Sequence, residues 1–178
     1  MKIKRILKHL IVPSWRLRRA FSAETLKSIE QAIAASEAQH TAEIRFAVES
    51  ALDTDALLHG QSAQARALDV FSNLRVWDTE ANNGVLIYLL LADQDVEIVS
   101  DRAAHAKIGT DAWRTICSMM EVSFKHGNFE AGVLLGIEAV TQHLIMHFPR
   151  HDLSILEPNE LSNAPTVLHA RSDLKRTF

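Results

Sequence analysis

With one cysteine, one tyrosine, four prolines and six glycines in 178 residues, this chain is marked first by what it cannot build. The lone thiol, Cys117, forms no internal disulfide, so the fold draws on a packed core and suits a reducing compartment. There is no glycine-rich phosphate loop, no cysteine followed five residues later by arginine, and no nucleophile elbow, which removes the commonest signatures of nucleotide, phosphate and ester chemistry. Uncharged apolar runs stop far short of the roughly 18 residues that span a bilayer, so no membrane-spanning segment is expected. The first segment offers only Leu10-Ile11-Val12 where a secretory leader needs a longer apolar stretch, so secretion is not expected either.

What the chain does have is core material. Hydrophobic residues make up 47% and charged residues 23%, the composition of one folded domain rather than a disordered chain. The net charge of −3 hides an asymmetry. Lys2, Lys4, Arg5, Lys8, Arg16, Arg18 and Arg19 all precede the first acid, Glu24, and the rest of the chain carries all 22 acidic residues. An acidic body without a basic, aromatic face excludes nucleic acid as a partner. The basic end attracts anionic surfaces instead.

That basic end is also patterned. Ile3, Ile6, Leu7, Leu10 and Ile11 recur at helical spacing, with Lys2, Lys4, Arg5, Lys8 and His9 opposite and Pro13 closing the pattern. Residues 1–19 therefore fit an interfacial helix on an anionic membrane surface. They fit as well a helix packed on its own domain or on a partner.

Helix and strand signals alternate afterwards. Ser22 can cap a helix to about Gln39 with Leu26, Ile29 and Ile33 on its apolar side. Glu43 to Ser50 alternates as a half-buried strand, and Ser62 to Val76 reads as a helix presenting Leu68, Phe71 and Leu74. Asn83-Gly84 then opens the uncharged run Val85 to Ala92. The corner Asp93-Gln94-Asp95 leads into Val96-Glu97-Ile98-Val99, completing a hairpin whose first strand needs cover on both faces. A short strand around Ser100 to Ile108 is a weaker reading. Thr110 can cap a helix with the stripe Trp113, Ile116, Cys117, Met120 and Phe124, and His126-Gly127-Asn128 breaks it before a last helix to about His147. These signals predict an α/β fold, a three-layer α/β/α sandwich around a small mixed β-sheet. The expected organisation is a basic amphipathic segment over 1–21, a domain over 22–148 and a polar tail over 149–178.

Several of these stretches together resemble the TPM domain family. They are Thr41-Ala-Glu43-Ile44-Arg45, Phe71-Ser-Asn-Leu74, Asn82-Asn83-Gly84-Val85-Leu86-Ile87 and Phe124-Lys-His-Gly127-Asn-Phe129-Glu-Ala-Gly132. The likeness runs over roughly residues 40 to 148. It implies that family's α/β sandwich with a divalent cation, Ca²⁺ or Mg²⁺, near the sheet rim. It also implies one of two roles, accessory work at membranes or acid phosphatase activity of the kind ascribed to thylakoid-lumen members.

The family's metal motif is Asp-Asn-Gly at the start of the central strand, and this chain carries Asn82-Asn83-Gly84. Hard cations draw most of their affinity from carboxylate charge, so the change removes one charge from the expected site. The resemblance implies Asn82 and Asp111 as ligands, and a hairpin pairing symmetrically about Asp93-Gln94 returns Asp101 to the same rim as a third. The same residues equally suit a turn, a strand end and a helix start. His143 and His147 share a helix face without a third ligand in view. Gly132 and Gly136 suit close approach of a helix to the sheet better than dimerisation in lipid.

The sequence therefore predicts a non-enzymatic domain that binds a protein partner, such as a membrane protein, at the cytoplasmic face of a membrane. The competing expectation is a metal-assisted phosphatase for small phosphomonoesters, which rests on family likeness alone.

Overall fold

The computed structural model describes residues 2–11, 14–150 and 159–168. The elements run α1 (Lys2–Ile11), α2 (Ser14–Ala20), α3 (Ala23–Glu37), β1 (Ile44–Glu49), α4 (Thr54–Leu58), α5 (Ala63–Asn73), β2 (Val85–Leu90), β3 (Asp95–Ser100), α6 (Arg102–Ile108), α7 (Thr110–Lys125), α8 (Phe129–His147) and β4 (Thr166–Leu168). The four strands form one mixed sheet in the order β3-β2-β1-β4. β1 runs parallel to β2 and β4, and β2 antiparallel to β3.

The apolar run Val85–Leu90 is the second of these four strands, and every residue in it is buried. Side chains alternate across a strand, and the two faces go to two cores. Val85, Ile87 and Leu89 join Ile44, Phe46 and Val48 against Ile29 and Ile33 of α3, Met120 of α7 and Val140 of α8. Leu86, Tyr88 and Leu90 join Ala47 against Ala63, Ala67 and Val70 of α5 and Leu57 of α4. That is the α/β/α sandwich that the uncharged strand requires. Each fully buried Ile, Leu or Val side chain contributes about 1.5–3 kcal/mol.

Local signals place most boundaries. Ser22 Oγ accepts the Thr25 N–H at the start of α3. Gly127, at φ +79°, supports the break between α7 and α8. Asn82 takes a left-handed φ of +52°, whereas Gly84 is required by proximity, because a Cβ there would run into the Val76 carbonyl. Gly132 and Gly136 allow close approach to a helix rather than to the sheet. A Cβ on Gly132 would stand 2.6 Å from the Phe124 ring, and one on Gly136 would meet Met120, both on α7.

Four details differ from the sequence reading. The segment after Ser100 is helix α6, begun by Asp101, whose Oδ1 accepts the Arg102 N–H at 2.6 Å. Thr110 is the first residue of α7 rather than its cap, and Gly109 holds the capping position at φ +85°. α5 buries Ala63, Ala67 and Val70 while Leu68 is exposed, because small residues let that helix settle closer to the sheet than a leucine stripe would. Part of the predicted tail, Thr166–Leu168, is strand β4 on the free edge of β1. Pro13 and residues 151–158 and 169–178 of the tail lie outside the described residues.

Candidate functional site

Two regions compete, and the first is the rim where β2 begins and β3 ends. Val85 pairs with Ser100 and Leu90 with Asp95, so the hairpin is symmetric and Asp101 lies beside the Asn-Asn-Gly turn. The Asp101 N–H donates to the Gly84 carbonyl at 2.9 Å and the Ala103 N–H to the Asn82 carbonyl at 3.0 Å. Arg102 reaches Asn82 Oδ1 at 3.4 Å. Asn82 and Asp101 are thus neighbours.

Asp111 is not joined to them. Its side chain is fully exposed in the first turn of α7, where Arg114 stands 3.9 Å away. The seven residues of α6 separate it from Asp101, a span of about 10 Å along a helix axis. Among the described residues no group of three or more His, Cys, Asp or Glu side chains gathers as a cation shell.

The rim nonetheless holds acceptors without donors. Asp101 Oδ2 and Asn83 Oδ1 are both buried with no hydrogen-bond partner among the described residues. Asn83 is 1% exposed and ties its amide nitrogen to the Thr41 carbonyl at 2.8 Å. Buried acceptors left unpaired are costly, and hard oxygens of this kind suit Ca²⁺ or Mg²⁺. Asn83 keeps its acceptor on the β1 side of β2, beside Thr41, and Asp101 keeps its own on the β3 side, beside Gly84. Asn83, rather than Asn82, supplies the unpaired amide oxygen; its place before Gly84 marked a turn and carried no ligand signal.

Inside the domain a serine and a histidine meet without forming a catalytic pair. His40 Nε2 lies 2.9 Å from Ser36 Oγ, which is 2.6 Å from Thr141 Oγ1. His40 is completely buried, and burial holds its imidazole down at about 4. No substrate can reach this cluster, which fastens α3 to α8. His143 instead packs edge-on against Trp113, at 6.2 Å between ring centres.

The second region is α1, and its orientation is the reverse of an ordinary amphipathic helix. Arg5 and His9 of the polar side face the domain, with Ile6 half-buried against the core beside them. His9 is 4% exposed; its Nδ1 accepts the Leu52 N–H at 3.0 Å and its Nε2 stands 3.0 Å from Asp93 Oδ2. Arg5 donates to the same Asp93 oxygen at 2.8 Å and to the Gln61 carbonyl at 2.7 Å. Burial by itself would raise the Asp93 carboxyl, but the hydrogen bonds from His9 and Arg5 and the Arg5 charge outweigh it and hold the group down at about 2. With Arg5 and His9 engaged, four of the five apolar residues of the stripe are left outward. Ile3, Leu7, Leu10 and Ile11 are 74%, 51%, 62% and 71% exposed, and their i, i+4, i+7, i+8 spacing puts them on one face. Trp15 on α2 is exposed as well, and so are Lys4, Lys8, Arg16, Arg18 and Arg19 around them.

The long helix α8 has the length and hydropathy of a membrane span, but Val133, Ile137, Val140 and Leu144 are buried in the core beneath α3 and α7.

The TPM domain family profile matches residues 17–143. Among solved structures, the BA42 protein from the psychrophilic bacterium Bizionia argentinensis is similar at 32% identity, over 82% of this chain and 94% of that one, with a TM-score of 0.70. The N-terminal domain of a protein from P. gingivalis shares the fold at 22% identity, over 74% of this chain and 82% of that one, with a TM-score of 0.55. No functionally curated protein matches.

Proposed function

The chain belongs to the TPM domain family, and on that premise we propose that it is a non-enzymatic accessory domain seated on an anionic membrane surface through α1, at the cytoplasmic face. One observation carries this reading: α1 turns Arg5 and His9 onto Asp93 and Gln61 and keeps Ile3, Leu7, Leu10 and Ile11 outward. A helix that needed only to pack on its own domain would turn the other way, since each large apolar side chain gains about 1.5–3 kcal/mol from full burial. The charge around that face favours lipid over an apolar partner. Lys4, Lys8, Arg16, Arg18 and Arg19 are exposed beside it, and each cation near an anionic bilayer adds about 1 kcal/mol. The acidic body then faces away, free to engage a protein partner at the membrane.

The phosphatase reading lacks such support. A metal-assisted mechanism needs a firmly held cation to polarise the phosphoryl oxygen, and Asp111 stands apart from the Asn82–Asp101 rim. Asp101, with Asn82 and Asn83, would hold a divalent cation there, and we assign it a weak, structural role.

Co-sedimentation with vesicles tests the membrane reading. The full chain should pellet with phosphatidylglycerol vesicles and remain in solution with phosphatidylcholine vesicles. Leu7→Glu/Leu10→Glu, which leaves the Arg5 and His9 contacts intact, should abolish pelleting. Equal pelleting of both proteins would overturn the proposal.

A further inference from the structure

Beside the outward face of α1 lies a cavity of about 400 Å³, within the roughly 300–1,000 Å³ usual for small-molecule sites. Four parts of the chain enclose it: the end of α1, α2, the β2–β3 corner and the first residue of α8. Its walls are of two kinds. Ile11, Leu91 and Phe129 offer apolar surface, while Lys8 and Arg16 bring two cations; Gln94, also in the wall, spends its amide nitrogen on the Phe124 carbonyl at 3.1 Å. Arg16 makes no salt bridge or side-chain hydrogen bond among the described residues. Lys8 Nζ stands 3.7 Å from Asp93 Oδ1, a long contact beside the two short ones that Arg5 and His9 make to Oδ2, and its side chain stays half exposed. A second hollow, sharing Arg16 and Phe129 with the first, adds Arg19 and Trp15. The acid nearest this hollow in sequence, Glu130, is bound by Thr25 at 2.9 Å.

We infer that this cavity takes the headgroup of a single anionic phospholipid from the bilayer beneath α1, a reading that rests on the membrane seat proposed above. The phosphate lies between Arg16 and Lys8, where charge-assisted hydrogen bonds are the strong ones, and the first acyl carbons lie along Leu91, Phe129 and Ile11. Position argues for lipid rather than free phosphate. Ile11 belongs both to the cavity wall and to the outward apolar face of α1, so the cavity opens where lipid chains would lie. A free phosphate would leave the apolar half of the cavity without a partner.

The full chain, ¹⁵N-labelled, is titrated with three probes below their micelle thresholds: dihexanoyl phosphatidylglycerol, dihexanoyl phosphatidylcholine and inorganic phosphate. Saturable shifts at the Ala20, Ala92, Gln94 and Phe129 amides are expected with the anionic lipid alone. Arg16→Gln should weaken that binding about tenfold, the effect of losing one charge-assisted contact. Equal shifts with phosphatidylcholine would reduce the cavity to an apolar sink, equal shifts with inorganic phosphate would remove the lipid, and no shifts would remove the site; each overturns the inference. Leu7→Glu/Leu10→Glu separates this from the membrane seat, because it should lose vesicle pelleting yet keep monomer binding. Pelleting without monomer binding sinks the cavity alone, and monomer binding without pelleting sinks the membrane seat alone.

Discussion

His9 Nε2 and Asp93 Oδ2 meet at 3.0 Å across 84 positions of sequence, and this contact determines which side of α1 faces out. The carboxyl is held down at about 2 against an ordinary 3.8. A depressed acid stabilises the folded form above its ordinary value and loses that contribution as pH falls through the lowered one. Docking of α1 should therefore hold at pH 4 and above and weaken between about 3.8 and about 2. Amide exchange in α1, measured over that range, should rise before the sheet amides begin to open. Asp93→Asn should produce the same loosening at neutral pH, since Asn leaves Arg5 without a charge partner and weakens the acceptor that His9 Nε2 faces. Unchanged α1 exchange in that variant would show that the helix is held by something else.

A second pH effect comes from the far end of α3, where two buried groups pull in opposite directions. Burial lifts Glu37 from 4.5 to about 8, and burial lowers His40 from 6.5 to about 4. His40 contributes stability that is lost as pH falls from 6.5 through about 4. Glu37 contributes stability that is lost as pH rises from 4.5 through about 8. The two offset one another between about 4.5 and 6.5, and above that window only the Glu37 loss remains. Urea unfolding of Glu37→Gln should therefore show a variant that gains on the parent as pH rises towards 8, by at most about 1.4 kcal/mol per pH unit. The amide keeps an acceptor for the Ile44 N–H, which Glu37 now binds at 2.8 Å. A constant difference across pH would mean that Glu37 titrates normally.

Glu49 is the charge the sheet interior has to satisfy. It is 2% exposed and receives two bonds from Arg66, at 2.8 and 2.9 Å, and one from the Tyr88 hydroxyl at 2.6 Å. Arg66→Met leaves the carboxylate buried with the tyrosine alone, and removing one partner of a buried pair costs about 3–5 kcal/mol. Glu49→Leu/Arg66→Met should cost less than Arg66→Met, because no buried charge is left over. Denaturant midpoints of the two variants decide the matter, and a double variant weaker than the single would refute it.

The sequence made some of this architecture plain and hid the rest for physical reasons. β2 was legible because a short uncharged run bounded by Asn83-Gly84 and Asp93-Gln94-Asp95 is too short for a buried helix and fits a strand covered on both faces. α3 and α7 were legible because their stripes are long enough for period to show. β4 was not, since Thr166–Leu168 is three residues held by a non-local pairing with β1. α6 was missed because seven residues give too few turns for periodicity. At the rim, Asn82 and Asp101 were placed together by hairpin symmetry, whereas the separation of Asp111 depends on α6, which the sequence did not reveal. The amphipathic pattern of α1 was evident, but periodicity cannot say which side packs. That choice was made by Asp93, in a corner with no local link to residue 9.

The rim itself yields the last prediction. Asp101 Oδ2 and Asn83 Oδ1 are buried acceptors with no donor among the described residues, and a site with one carboxylate should bind Ca²⁺ only at the weak end, with a Kd of about 10⁻⁴–10⁻³ M. Titration with Ca²⁺ should move the amides of Asn83, Asp101 and Arg102 and leave Asp111 still. Asp101→Asn should erase the response without unfolding α6, because Asn caps helices as well as Asp. Asn82→Asp supplies the charge missing from the family motif and should tighten binding about tenfold. Arg102 already reaches Asn82 Oδ1 and would compete for the new carboxylate, so the gain should grow further in Asn82→Asp/Arg102→Gln. If Asp111 moves together with the rim, the site is the three-ligand one expected from the sequence, and α6 must shift to build it. If no amide moves at millimolar Ca²⁺, the buried acceptors serve some other partner.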